Sequence, residues 1–164
     1  FLYRYQILKS KGDSLSLDKF FSYTSRNLDF IELNKNNPVI VDFYHDYYLY
    51  LLKKDNKKRA NEILNKLYLK QKELKANIYS PFVEIELSKL SKDENRLQES
   101  IDYLLESKEN TRRLKPNDEV KIYYDILKLY DALGNKIKKD EYIQKCKNVE
   151  NTEESLYKKM CDEM

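Results

Sequence analysis

Residues 130–146 read YDALGNKIKKDEYIQKC, and this stretch decides the fold. An apolar helical segment ends there at a tight polar turn around Gly134, and a second helical segment follows at once. The same order of helix, polar loop and helix recurs at Gly12, Asp55 and Asn95, with spacings of 43, 40 and 39 residues between the four loops. A helical pattern repeated at about 40 residues is typical of a solenoid of stacked helix pairs.

The composition favours an all-α chain. Its 164 residues include only 2 Gly and 3 Pro, too few for the many turns of an all-β fold, while a hydrophobic content of 41% is enough to form a core. We predict eight or nine helices in antiparallel pairs, within one helical-repeat domain over residues 1–164. The chain begins at Phe1 inside a helical pattern, which predicts that it is the C-terminal segment of a longer protein.

Caps, prolines and apolar periodicity predict where the helices begin. The second helix is expected to continue through Leu28 and Ile31, and the third is apolar almost all round. The predicted helices start at Phe1, at Ser14 or Ser16, at Pro38, after Asn56, at Ser80, after the KDEN loop of residues 92–95, at Pro116, after Gly134, and at Asn151 or Thr152.

The charges are nearly balanced. The chain has 31 basic and 28 acidic residues and a net charge of +3, so it does not build the strong positive field of a nucleic-acid-binding protein. Its apolar runs are shorter than the roughly 18 residues of a membrane span. We therefore predict that this segment neither binds nucleic acid nor inserts into a membrane.

Residues of three repeats resemble the tetratricopeptide pattern. Tyr130 and Gly134 are followed by Ile143 and Cys146 in the order of that motif, and a small residue followed by a large one recurs as Ala60 with Leu64. The third repeat has Ser100, Leu104 and Ser107 at corresponding places. Three features depart from the tetratricopeptide pattern. Lys139 stands where a small residue is usual, Asp55 stands where glycine is usual, and the period is longer than the 34 residues of that repeat. The resemblance implies a degenerate, right-handed, tetratricopeptide-like α-solenoid.

The tail is similar to that of another group of proteins. Residues 146–164, CKNVENTEESLYKKMCDEM, carry one cysteine late in the penultimate helix and another near the terminus. This style of tail resembles the paralysed-flagella scaffold proteins, which form a periplasmic disk around the bacterial flagellar motor. The resemblance implies a periplasmic location, with the cytoplasm as the alternative.

The two cysteines leave two interpretations open. Cys146 and Cys161 are 15 residues apart and match neither a CxxC redox motif nor a zinc pattern. They are either two separate buried thiols or a disulfide that closes the terminal hairpin. If the last helix starts at Asn151 or Thr152, Cys161 lies about 13 Å along it at 1.5 Å per residue, too far for a bridge unless the eighth helix ends early.

Residues that would carry catalysis or hold a metal are scarce. His45, the only histidine, has Asp42 three positions before it, but a metal site needs a third good ligand. There is no phosphate-binding glycine loop, nucleophile elbow or Ser/His/Asp set. We predict a protein that is not an enzyme and that has no cofactor and no metal.

The repeat offset predicts a partner-binding face on the first helix of each pair. Adding 40 and then 39 to the polar positions of the third helix reaches equivalent positions on the fifth and seventh. We expect this face to be exposed and to bind a peptide or helix of another protein in a concave groove. Its predicted residues are Asp42, His45, Asp46, Glu86, Lys89, Lys121, Tyr124, Asp125 and Lys128.

Two functions follow from this pattern. The first is a non-enzymatic scaffold that holds partner proteins in a larger assembly, which the tail resemblance places in the periplasmic flagellar motor. The alternative is a cytosolic regulator of the helical-repeat type that senses a short peptide. A signal peptide upstream of Phe1 favours the scaffold, and an upstream helix-turn-helix favours the regulator.

Overall fold

The computed structural model describes residues 1–24, 37–110, 114–150 and 155–164, and in these ranges the regular structure is all helical. The described residues contain nine α-helices, within the predicted eight or nine, and no strand. The helices are α1 (Leu2–Ser10), α2 (Ser14–Thr24), α3 (Val39–Lys53), α4 (Lys57–Leu74), α5 (Phe82–Asp93), α6 (Leu97–Asn110), α7 (Pro116–Ala132), α8 (Lys136–Lys147) and α9 (Leu156–Asp162).

The chain divides into two compact units. The first covers residues 1–78 and holds α1 to α4, and the second covers residues 79–164 and holds α5 to α9. Three helix pairs pack most extensively, namely α3 with α4 in the first unit, and α5 with α6 and α7 with α8 in the second. The single domain over residues 1–164 and the right-handed solenoid stay predictions.

The loops of these three hairpins have the same backbone geometry. Asp55, Asn95 and Gly134 have φ values of 54°, 60° and 69°, in the left-handed region that ends a helix. Each of these residues donates its N–H to a carbonyl three residues back, and the next residue donates to a carbonyl five residues back. The second set of bonds joins Asn56 to Leu51 at 3.0 Å, Arg96 to Ser91 at 2.8 Å, and Asn135 to Tyr130 at 2.9 Å.

These bonds form the Schellman motif, and its recurrence inside the three hairpins matches the sequence period. The same motif also ends α4 at Lys75, between two hairpins. Gly12, the fourth predicted loop residue, also has a positive φ, of 64°. The left-handed backbone conformation costs the least free energy for glycine and asparagine, which explains why three of the four loops have one of these residues there. Asn56 and Asn135 then cap α4 and α8 by accepting the N–H groups of Arg59 and Lys138.

The core of the first unit is aromatic. Phe43 of α3 contacts the rings of Phe21 and Tyr47 at centroid distances of 5.9 and 5.6 Å, and all three side chains are buried. Tyr5 of α1 meets Phe43 edge-on at 5.5 Å. Much of the chain's tyrosine content is therefore core: the buried tyrosines are Tyr5, Tyr44, Tyr47, Tyr48, Tyr123, Tyr130 and Tyr142.

In the second unit, α5 and α6 approach each other at small residues. Ser88 and Ser100 are buried, their hydroxyl oxygens are 2.8 Å apart, and the Ser100 hydroxyl also donates to the Ser88 carbonyl at 2.9 Å. Ser100 is one of the small positions of the tetratricopeptide-like pattern. Ala60, its counterpart one repeat earlier, is also fully buried. Small side chains at both places allow the paired helices to pack closely.

Several predicted details of the helix ends differ from the structure. Asp13, rather than Ser14 or Ser16, caps α2, because its carboxylate accepts the N–H of Ser16 at 3.0 Å. Ser80 does not cap α5; its hydroxyl instead donates to the buried Glu84 carboxylate at 2.5 Å. The predicted positions Leu28, Ile31, Asn151 and Thr152 lie outside the described residues.

Candidate functional site

A cleft of about 240 Å³ lies between α5 and α7 of the second unit, and α6 forms its floor. It brings together Lys89, Lys121 and Asp125, three of the residues that the repeat offset predicts on one face. The lining residues are Ile85, Ser88, Lys89, Lys92, Ser100, Leu104, Lys121, Asp125 and Leu129. The offset of 39 residues therefore places charged residues of two successive helix pairs around one cleft.

The floor of the cleft is buried, and its two hydroxyl groups are already hydrogen-bonded. Ser88 and Ser100 bond to each other, and Leu104 is only 2% exposed. Leu129 forms part of the wall and is also buried. A partner in this cleft would contact an apolar base and a charged rim.

Two of the lysines at the rim have in-chain contacts. The Lys89 ammonium pairs with the Glu86 carboxylate at 2.5 Å, one turn back on α5. The Lys121 ammonium lies 5.8 Å from the centroid of the Tyr157 ring of α9. Such a contact is a weak cation–π interaction when the cation is exposed. A contact of this kind leaves the Lys121 ammonium able to pair with an anion.

Asp125 is the carboxylate of the lining, and its side chain is half-buried. Burial raises the pKa of Asp125 above its usual value, while the positive charges of Lys121, Lys92 and Lys89 act in the opposite direction without cancelling the effect. The charge of Asp125 is therefore costly in this fold. A costly charge in a cleft is a feature of binding sites as well as of structural ion pairs.

In the first unit, Asp46 ties α3 to α1 and is not a free contact group. Its carboxylate accepts the hydroxyl of the buried Tyr5 at 2.6 Å and pairs with the Lys9 ammonium at 3.0 Å. His45 is also bonded to it, with Nδ1 3.0 Å from Oδ1 of Asp46. His45 therefore shares the Asp46 carboxylate with Tyr5 and Lys9.

The pKa of Asp46 reflects this network. Burial on its own would raise the pKa, but the hydrogen bonds from His45, Tyr5 and Lys9 outweigh it and lower the pKa from 3.8 to about 2. A carboxylate held in this way stabilises the fold. We therefore assign Asp46 a structural role in the first unit.

The prediction that the nine face residues are all exposed is wrong in part. Lys89, Lys121 and Lys128 are exposed, and the other six are half-buried. Tyr124, the expected aromatic anchor, packs against the Tyr157 ring of α9 at a centroid distance of 5.6 Å. Lys128 is outside the residues that line the cleft. The half-buried residues are Asp42, His45, Asp46, Glu86, Tyr124 and Asp125.

Cys146 and Cys161 form a disulfide, with their Cα atoms 6.3 Å apart. The expected separation of about 13 Å assumed a last helix that starts at Asn151 or Thr152. The helix α9 starts at Leu156 instead, so Cys161 lies only five residues after its first residue, close to its C-terminal end. The bridge holds α9 close to the end of α8 and against α7. It thereby fixes Tyr157 beside Tyr124 and Lys121.

Lys92 is the charged residue of the cleft that the sequence reasoning missed. It follows Lys89 by three positions on α5, and residues three apart share a face of a helix. The three-residue spacing from Lys89 could therefore have predicted that Lys92 lies on the same face.

A second cleft, of about 540 Å³, lies between α1 and α2 of the first unit. It is the larger of the two, but it contains none of the predicted face residues. Its charged lining consists of Arg4 and Lys19, and the rest is mostly apolar. We favour the smaller cleft as the candidate site because it combines the repeat-related positions with a carboxylate whose charge is costly.

No family model matches the chain, and neither a curated protein nor a solved structure is significantly similar to it. Within the ranges that the structure describes, His, Cys, Asp and Glu side chains form no group of three that would hold a metal ion. Over the same ranges no helix has both the length and the apolar character to cross a bilayer.

Proposed function

We propose that this chain is a non-enzymatic helical-repeat protein that holds partner proteins in a larger assembly, and that its repeats stack as a tetratricopeptide-like solenoid. The observation that carries the proposal is the recurrence of one loop geometry at Asp55, Asn95 and Gly134. Chains that repeat a helix pair in this way present extended surfaces to other proteins.

The cleft between α5 and α7 supports the same function. It lies on the first helices of two successive pairs, which is the side of a helical-repeat array that binds partners. It also combines an apolar base with charged side chains at its rim, as protein-binding surfaces do. We therefore take this cleft as the partner site.

The disulfide supports a location in an oxidising compartment, such as the periplasm. Disulfides persist in secreted and periplasmic proteins and are rare in the cytosol, where thiols are kept reduced. This favours the scaffold over the cytosolic peptide-sensing regulator. The flagellar motor stays a prediction that rests on the resemblance of the tail.

The experiment is affinity capture of the full-length protein from its native cells after chemical cross-linking. We expect a reproducible neighbouring protein whose recovery falls when Lys121 in the cleft is replaced by glutamate. The matched control is Lys128→Glu, the same charge change on the same helix but outside the cleft lining. Recovery of the protein as a free monomer, or equal loss with both variants, would count against the proposal.

A further inference from the structure

The cleft between α5 and α7 carries more positive than negative charge. Three of the described residues that line it are lysines and one is an aspartate. The three lysines surround Asp125 closely enough to affect its pKa. The cleft therefore has a local excess of positive charge, although the whole chain is nearly balanced.

Two of these ammonium groups are free to pair with an incoming anion. Lys89 is already paired with Glu86 at 2.5 Å. Lys92 and Lys121 are exposed, and in the described part of the chain neither has a carboxylate within ion-pair distance. They project from α5 and α7, on opposite sides of the cleft. An anion held between them would connect the two helices.

The size of the cleft indicates what kind of molecule it takes. Its volume of about 240 Å³ is below the roughly 300–1,000 Å³ of sites that enclose a small-molecule ligand. The half-buried Ile85 supplies apolar surface next to the lysines, and the buried Leu129 closes the wall beside it. These dimensions fit one or two side chains from a protein segment, with an acidic group and an aliphatic group side by side.

We propose that the cleft binds an acidic segment of the partner protein, with one carboxylate between Lys92 and Lys121 and a neighbouring aliphatic side chain on Ile85 and Leu129. The proposal rests on the proposed function and names the chemistry of the partner. Charge complementarity of this kind selects partners and speeds their association. The negative charge of Asp125 would repel a second carboxylate of the partner. The site therefore takes a single acidic side chain and not a run of them.

The direct test uses three blocked peptides that differ at one position. Each contains two leucines that flank a central glutamate, glutamine or lysine, between short Gly/Ser ends. Chemical-shift changes in the full chain would give the affinity and the place of binding. We expect the glutamate peptide to bind most tightly, with shifts in α5 and α7, and to weaken as salt is raised.

Matched variants identify the groups responsible. Lys92→Gln and Lys121→Gln should each weaken binding of the glutamate peptide by roughly two- to fivefold, the range for an exposed ion pair. Lys128→Gln removes a lysine outside the cleft and should leave the affinity unchanged. Asp125→Asn should tighten binding because it removes the opposing charge. Circular dichroism confirms that each variant is folded.

Equal affinity for the three peptides, tighter binding of the lysine peptide, or no effect of the Lys92 and Lys121 substitutions would overturn the proposal. The proposed function fails in a different way. If the native partner still cross-links to the cleft but presents a basic or uncharged segment, the acidic partner is wrong and the scaffold function stands. If the native partner does not depend on the cleft, the partner site itself is wrong.

Discussion

Asp46 and Asp125 occupy similar positions on the first helices of their pairs, yet their surroundings affect them in opposite directions. Asp46 accepts hydrogen bonds from Tyr5, Lys9 and His45, and its pKa is lowered to about 2. Asp125 is half-buried and has lysines near it, and burial raises its pKa. The first carboxylate therefore stabilises the fold at neutral pH, and the second destabilises it.

Replacing Asp46 by asparagine should lower the free energy of unfolding at pH 7 by about 2 kcal/mol, the linkage value of a shift of nearly two pKa units. Because the folded-state pKa is depressed, this contribution is full above the unfolded pKa of about 4 and is lost as the pH falls through about 2. Urea unfolding at pH 7 and pH 2 measures both values. Tyr5→Phe is the control and should cost less, because it removes only one of the hydrogen bonds that Asp46 accepts, together with the bond from Lys9 to the Tyr5 hydroxyl. If the difference in free energy of unfolding between the wild type and Asp46→Asn were the same at pH 7 and pH 2, this account would be wrong.

Asp125→Asn should have the opposite effect and raise stability at pH 7. Here the folded-state pKa is raised, so the penalty for burying the charge is full above that pKa, shrinks as the pH falls below it, and is gone below the unfolded pKa of about 4. The difference between variant and wild type should therefore close in acid. Urea unfolding over the same pH range checks this, and a variant that is less stable than wild type at pH 7 would refute it.

At the scale of single elements, the disulfide decides whether α9 is held in place. A helix of seven residues is too short to be stable by itself. Its contacts with α7 and α8 include Tyr157 on Tyr124 and the Cys146–Cys161 bridge. The bridge closes a loop of about 15 residues, and in the chain-entropy view it contributes about 3 kcal/mol.

Reduction of the disulfide, or the double substitution Cys146→Ser and Cys161→Ser, should release α9. We expect faster amide exchange at residues 156–162 while α5 and α6 keep their protection. The oxidised wild type under identical conditions is the reference. Unchanged exchange in α9 after reduction would show that its packing alone holds it.

The core of the second unit gives the largest expected loss of stability. Leu127 on α7 is fully buried, and Leu104 on α6 is 2% exposed. Leu127→Ala should cost about 2–5 kcal/mol through lost packing and a residual cavity. The neighbouring Lys128→Ala, at an exposed position, should change stability by less than about 0.5 kcal/mol. Denaturant unfolding of both variants compares them, and similar losses would mean that the faces of α7 are inverted.

The elements were easier to predict than their mutual contacts. Local features decide the helices and their loops, since Gly12, Asp55, Asn95 and Gly134 each punctuate an apolar helical pattern and all adopt a positive φ. Other features depend on which helices pack together, and the apolar period of one helix does not predict that. They are the bonds of Asp46 to α1, the packing of Tyr124 against α9, and the burial of Glu84. Lys92 was missed for a different reason, because the offset from another helix was used where spacing within α5 was informative.

At the scale of the whole molecule, the two units share one construction. The hairpin of α3 and α4 in the first and the two hairpins of the second have the same loop hydrogen bonds. Both units have a cleft beside the first helix of a pair, of about 250 Å³ between α2 and α3 and about 240 Å³ between α5 and α7. They differ because Asp46, the face residue in the first cleft, is bonded to Tyr5 and Lys9 of α1, whereas Lys92 and Lys121 in the second are exposed. Repetition of one hairpin has thus produced a mainly structural face in one unit and a candidate binding face in the other.

The most direct test of the central claim is site-specific photocross-linking in native cells. A benzophenone amino acid at position 89, on the rim of the cleft, should yield a discrete cross-link to another protein. The same amino acid at position 144, an exposed site on α8, should yield little or none. A partner captured from position 89 alone is the result that we predict. Equal capture from both positions, or capture from position 144 alone, would contradict the assignment of the cleft as the partner site.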